Sequence, residues 1–291
     1  MRRKRVTFFD VIVHIIGAML LLMVLYPLVL VLSCSISNPQ LVATGQVLLF
    51  PKGITFVGYT QILKNKDILV GYGNTFFYTI VGTAVNLAVT VPTGYALTKK
   101  TLPGRKFFMG FFLFIMYFSG GLIPTFLLVK GLGLYNTRLV LLILGAFSTY
   151  NCMICRTFFD AMPKELEEAA IIDGCSVTGT FTKVVLPLSK ALLGVMILYF
   201  AVGHWNAYFE ALVYIKDDSM QPLQVFLRRI LILARQQASN EEAAEYAASL
   251  ANLEAQMRYA VIVVSSLPLL IIYPFLQKYF DKGVMIGSVK G

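Results

Sequence analysis

Few residues in this 291-residue chain have the type and spacing that chemistry requires. Cys152 and Cys155 form a lone C-x-x-C inside an apolar helical pattern, with Cys34 and Cys175 far from it in sequence. Metal or redox use would need a second ligand pair or an accessible thiolate, so the pair reads as buried small residues. The two histidines, His14 and His204, belong to no H-E-x-x-H pattern. Neither a G-x-x-x-x-G-K-[ST] phosphate cradle nor a G-x-S-x-G nucleophile elbow occurs. No catalytic residue and no metal ligand is assigned, and energy for any work must come from another polypeptide.

Polar side chains inside apolar stretches are the better lead. Asn74, Tyr78 and Asn86 occupy one such stretch, Tyr117 and Ser119 the next, and His204, Trp205, Asn206, Tyr208 and Glu210 crowd a later one. Polar groups at membrane depth usually face the interior of a helix bundle. Amides, a carboxylate and flat aromatic faces are what a sugar needs. The expected substrate pathway is therefore Asn74, Tyr78, Tyr117, Trp205, Asn206, Tyr208 and Glu210. The other reading of the same residues is interhelical hydrogen bonding and interface aromatics.

The elements that must position these residues are apolar. Hydrophobic residues make up 57% and charged ones 14%, with a mean hydropathy of +0.73, against roughly 25% charged in an ordinary soluble domain. Such a chain is an all-α, polytopic membrane protein. Six stretches, near 11–33, 71–98, 107–129, 135–158, 189–212 and 259–280, are long enough to cross about 30 Å of hydrocarbon, and they make one transmembrane domain over 1–291. The net charge of +10 suits cytoplasmic loops. No basic tract is interleaved with aromatics, which excludes nucleic acid as a partner.

Met1-Arg2-Arg3-Lys4-Arg5 precedes the first stretch. A signal-peptide core would be about 7–15 residues, whereas Val11–Leu32 is a full span. The inner segments hold most of the lysines and arginines, which places both termini in the cytoplasm. Residues 159–188 are then cytoplasmic and 213–258 extracytoplasmic, the latter with a surface helix expected near 240–256. Pro92 and Gly94 should bend the second stretch.

Residues 159–188 are too polar to span. Pro163 can open a helix, and Glu165, Glu167 and Glu168 suit its positive N-terminal end. Leu166, Ala169, Ala170 and Asp173 share one side, and Gly174 is placed to stop it. At about ten residues this helix is too short to stand alone in water, so it is built to lie against another surface.

Glu168-Ala169-Ala170, three residues, Gly174, nine residues, then Val184-Val185-Leu186-Pro187 resembles the Glu-Ala-Ala signature of bacterial ABC importer permeases. The run His204–Phe209 resembles the fifth span of the carbohydrate-uptake permeases, of the maltose and oligosaccharide type, and Gln277–Phe280 with Lys282–Gly291 resembles their tail. The resemblance implies a type I permease fold in the bacterial cell membrane. It also implies partners: a second permease, two cytoplasmic ATPases that use ATP and Mg, and an extracytoplasmic binding protein that delivers a sugar. Glu168, Ala169, Ala170, Asp173, Gly174, Leu186 and Pro187 would couple this subunit to the ATPase, and no cofactor would be bound by this chain. A permease for a non-sugar solute, and a channel or scaffold without an ATPase, are the alternative readings.

Overall fold

The apolar stretches become helices, some whole and some broken. The computed structural model describes residues 8–229, 252, 253, 255–272 and 274. The basic N-terminus, most of the helix expected near 240–256 and the tail from Gln277 lie outside the described residues. The chain divides into two compact units.

The first unit takes in residues up to Ile68 and the described residues from Leu227 to Pro268. Helix α1 (Phe8–Ser35) has 28 residues, about 42 Å at ~1.5 Å per residue, and so exceeds the thickness of a bilayer core. Next comes α2 (Pro39–Ala43), with Pro39 at its first position, where a missing N–H costs nothing. Its cap is Asn38, whose Oδ1 accepts from the Gln40 N–H at 3.0 Å. After it comes α3 (Val57–Lys64), and the unit also holds most of the helix Ala255–Ile272, an 18-residue candidate span. Gln256, fully buried, closes the unit. Its Nε2 donates to the carbonyls of Ser35 at 3.2 Å and Thr55 at 3.0 Å, and its Oε1 accepts from the Gly58 N–H at 3.1 Å.

The second unit begins within α4 (Lys66–Ala96). The expected bend at Pro92 does not break this helix, which runs unbroken to Ala96. One residue on, the Thr93 hydroxyl donates to the Val89 carbonyl at 2.6 Å. The stretch 107–129 divides into α5 (Arg105–Tyr117) and α6 (Leu122–Gly131), bent by 115°. Ser119-Gly120-Gly121 makes the break, with Gly121 at φ +85°. The stretch 135–158 becomes α7 (Arg138–Leu144) and α8 (Thr149–Asp160), bent by 47°. Then come α9 (Glu165–Ile172), α10 (Val177–Thr180), a π-turn (Phe181–Val185), α11 (Leu186–Leu188), α12 (Lys190–Asn206) and α13 (Phe209–Tyr214). Counting each bent pair as one span, the described residues supply up to six crossings.

Close approach between α4 and α8 depends on small residues. Cβ added at Gly94 would meet Cys155 Cβ at 2.7 Å and the Arg156 N and Cys152 O at 3.2 Å. Cys152 and Cys155 are fully buried on the facing side, so the C-x-x-C is a packing surface of small side chains.

Candidate functional site: a coupling loop and a polar cavity

Helix α9 starts at Glu165, so Pro163 lies just before it rather than within its first turn. Its acidic first turn, Glu165, Glu167 and Glu168, faces the unpaired N–H groups. The stop is a Schellman turn: the Cys175 N–H reaches the Ala170 carbonyl at 2.9 Å and the Gly174 N–H the Ile171 carbonyl at 3.0 Å. Gly174 holds φ +81°, a left-handed conformation that glycine adopts without strain. Of the four residues expected on one side, Ala170 is buried while Leu166, Ala169 and Asp173 are exposed, as are Glu168 and Gly174.

Three exposed apolar residues beside the motif were not picked out by sequence: Ile171, Ile172 and Val177, with Ile172 84% exposed. Isoleucines at the end of a loop helix were the available signal. Leu186 is half-buried and Pro187 exposed. Pro187 lies two residues before the bend into α12. That angle, 82°, falls at the break before Lys190, where the Ser189 hydroxyl donates to the Val185 carbonyl at 2.7 Å.

Two sets of contacts hold the loop. The first is a core in which Tyr95 of α4, Phe159 of α8, Val185 of the π-turn and Met196 of α12 are buried together. The Tyr95 ring packs edge-on against Phe159 and at 4.9 Å from Phe181. The second is ionic: Lys99, just past α4, pairs with Glu167 of α9 and lies 4.1 Å over the Tyr95 ring. Partial burial pulls the Lys99 ammonium down, but its hydrogen bonds to Glu167 and Tyr95 win, and its pKa stands above the ordinary lysine value.

Elsewhere in the second unit is a cavity of about 390 Å³. Tyr78 and Asn86 line it from α4, Ser148 from the α7–α8 break, Asn151 from the first turn of α8, Tyr199 and His204 from α12, and Glu210 from α13. Asn86 donates through Nδ2 to the Gly145 carbonyl, the last residue before the break, so a carbonyl freed inside the membrane is satisfied by a side chain. His204 Nε2 lies 2.6 Å from Asn86 Oδ1, which requires the Nε2–H tautomer. Ser148 caps α8 by accepting from the Asn151 N–H at 3.3 Å.

The expected pathway residues do not all converge. Tyr78 and Glu210 line the cavity, although the Tyr78 hydroxyl is engaged by the Met220 carbonyl at 2.7 Å. Asn74 is buried and tied to the segment after α13, donating to the carbonyls of Ser219 and Gln221 and accepting from Arg138. Trp205 is 1% exposed and meets Phe76 edge-on at 5.1 Å, away from the cavity lining. Asn206 bonds its own helix at the Val202 carbonyl. Tyr208 is exposed against Phe209, and Tyr117, at the α5–α6 break, is 84% exposed. Ser148, Asn151 and Tyr199 were missed; the polar run Ser148-Thr149-Tyr150-Asn151 inside an apolar stretch was the signal for the first two.

Bilayer-length helices around a polar cavity, with an exposed glycine-ended rod on a loop, define a membrane permease subunit rather than an enzyme. Comparison with known proteins agrees. A profile described as binding-protein-dependent transport system inner membrane component matches residues 68–286, and the chain belongs to that family. Protein LplC of Bacillus subtilis (strain 168) is 41% identical over 276 residues, covering 95% of this chain and 91% of LplC. The polygalacturonan/rhamnogalacturonan transport system permease protein YtcP of the same organism is 36% identical, covering 97% and 98%. The crystal structure of a bacterial ABC transporter involved in import of the acidic polysaccharide alginate superposes with a TM-score of 0.85 at 34% identity, over 96% of this chain and 99% of that one. The type I permease fold is thereby established, as is a working context with other importer subunits.

Proposed function

We propose that this chain is one of two different permease subunits in a bacterial importer of oligosaccharides. Two ATPase subunits, using ATP and Mg, would sit below it, and an extracytoplasmic binding protein would supply the solute. The observation that carries the reading is the cavity. Its amides, hydroxyls, imidazole, carboxylate and tyrosine rings are a saccharide-binding set enclosed by membrane helices. Relatives named for oligosaccharide or polysaccharide transport support the solute class. Both termini are read as cytoplasmic, which puts α9 on the ATPase side.

In this reading Glu168, Ala169, Ala170, Asp173 and Gly174, joined by Ile171, Ile172 and Val177, form the surface that meets the ATPase. Movement of α9 passes through α10, the π-turn and the Leu186–Pro187 turn into α12, which carries His204 at its far end. Rocking of α12 against α4 would open and close the cavity.

The test is reconstitution of the complete importer in proteoliposomes with its binding protein, measuring ATP hydrolysis and uptake across neutral and uronate-rich oligosaccharides. Stimulation and uptake with at least one saccharide are expected, and His204→Ala should reduce uptake about tenfold, as when about one hydrogen bond's worth of binding is lost. Stimulation only by an amino acid, phosphate or metal would refute the solute class. A preparation in which no ATPase co-purifies would refute the importer assembly.

A further inference from the structure

The coupling helix has a second attachment. Besides its route through the π-turn to α12, α9 is joined by Glu167 to Lys99, which follows α4 after Ala96. Lys99 is seated on the ring of Tyr95, which is itself 5% exposed in the core. The neighbouring turn is fixed in its own right, since Arg105 Nε donates to the Leu97 carbonyl at 2.7 Å. Glu167 therefore pulls on a braced point and not on a loose loop. Helix α4 is the one that supplies Tyr78 and Asn86 to the cavity.

We propose that Lys99 and Glu167 are positioning residues that carry motion of the coupling helix directly to α4, so that both walls of the cavity, α12 and α4, are driven from one rod. This rests on the reading of α9 as the ATPase-docking helix. The two side chains keep 25% and 23% of their exposure. Partly exposed pairs contribute modestly to stability, and the aromatic core of Tyr95, Phe159 and Phe181 still holds the loop without this one, so losing it removes a mechanical link while the fold remains. Glu167 is half-buried toward Lys99 while its neighbour Glu168 is exposed, so the pair is separate from the side chains that form the docking face.

The test uses Lys99→Met, Glu167→Gln and the exchange Lys99→Glu with Glu167→Lys in the assembled importer, reading saccharide moved per ATP hydrolysed. Each single variant should co-purify with the ATPase and hydrolyse ATP at close to the parental rate, yet lose on the order of fivefold in uptake per ATP. The exchange should recover most of that loss, as interacting partners do in a double-mutant cycle. Unchanged uptake per ATP in both single variants would overturn the proposal, as would an exchange that fails to recover. Gly174→Asp separates it from the docking reading: retained ATPase co-purification in that variant would count against docking, whatever the Lys99 and Glu167 variants do.

Discussion

Gly82 and His204 share a space that admits no further carbon. Cβ built on Gly82 would meet the imidazole at 2.5 Å, so Gly82→Ala should destabilise by about 1–3 kcal/mol through overpacking and lower the melting temperature in detergent. His204→Ala should cost about as much for a different reason, since a buried Asn86 oxygen loses its partner. The double variant should cost less than the sum, because the alanine at 82 fills space the imidazole has left. Additive losses would show that the two do not touch. His204 and Asn86 stood out in sequence as polar residues in apolar surroundings. Their pairing across 118 positions did not, and nothing marked Gly82 among the glycines. Lys99 allows a statement about pH. Its folded pKa is raised, so its contribution is complete below the ordinary value of 10.5 and is lost only as pH climbs through the folded value. The link to Glu167 is thus intact throughout the neutral range.

At the scale of elements, α4 and α8 are held by the absence of side chain. Gly94→Val would drive a methyl-bearing carbon against backbone atoms of α8, which cannot step aside as a flexible side chain can. A loss of about 3 kcal/mol and poor recovery of folded protein are expected. Cys152→Ala with Cys155→Ala, in contrast, should retain uptake close to the parent, because the cysteines serve as small packing groups; abolished uptake with unchanged folding would reveal a use for the thiols. Among the described residues, hydropathy marked the apolar stretches that form helices, and the end of α9 was legible from Gly174. The breaks were not. Hydropathy averages over Ser119-Gly120-Gly121 and over Gly145 to Ser148, whereas the bend depends on which neighbour satisfies each freed backbone group. For Gly145 that neighbour is Asn86, on another helix.

At the scale of the molecule, apolar surface is carried on separate helices among the described residues. Long exposed runs of leucine, isoleucine and phenylalanine on α1 and α5 are unsuited to water and suited to lipid or to a second permease. On the proposed orientation, with each bent pair crossing once, single cysteines placed in a cysteine-free variant should sort by side. Lys52→Cys and Lys216→Cys should react with an impermeant maleimide in intact cells, and Lys100→Cys and Ile172→Cys only after permeabilisation. The reverse pattern would invert the orientation and remove α9 from the reach of any cytoplasmic ATPase.

The bend of 82° before Lys190 has a consequence for the kind of force that suffices. Where two rods meet near a right angle, spinning the first about its own axis swings the second sideways, since both are a single rotation seen from different shafts. A partner gripping the loop need not thrust toward the bilayer. In the proposed coupling, a torque on the loop, like a hand on a door lever, would swing the far end of α12 sideways.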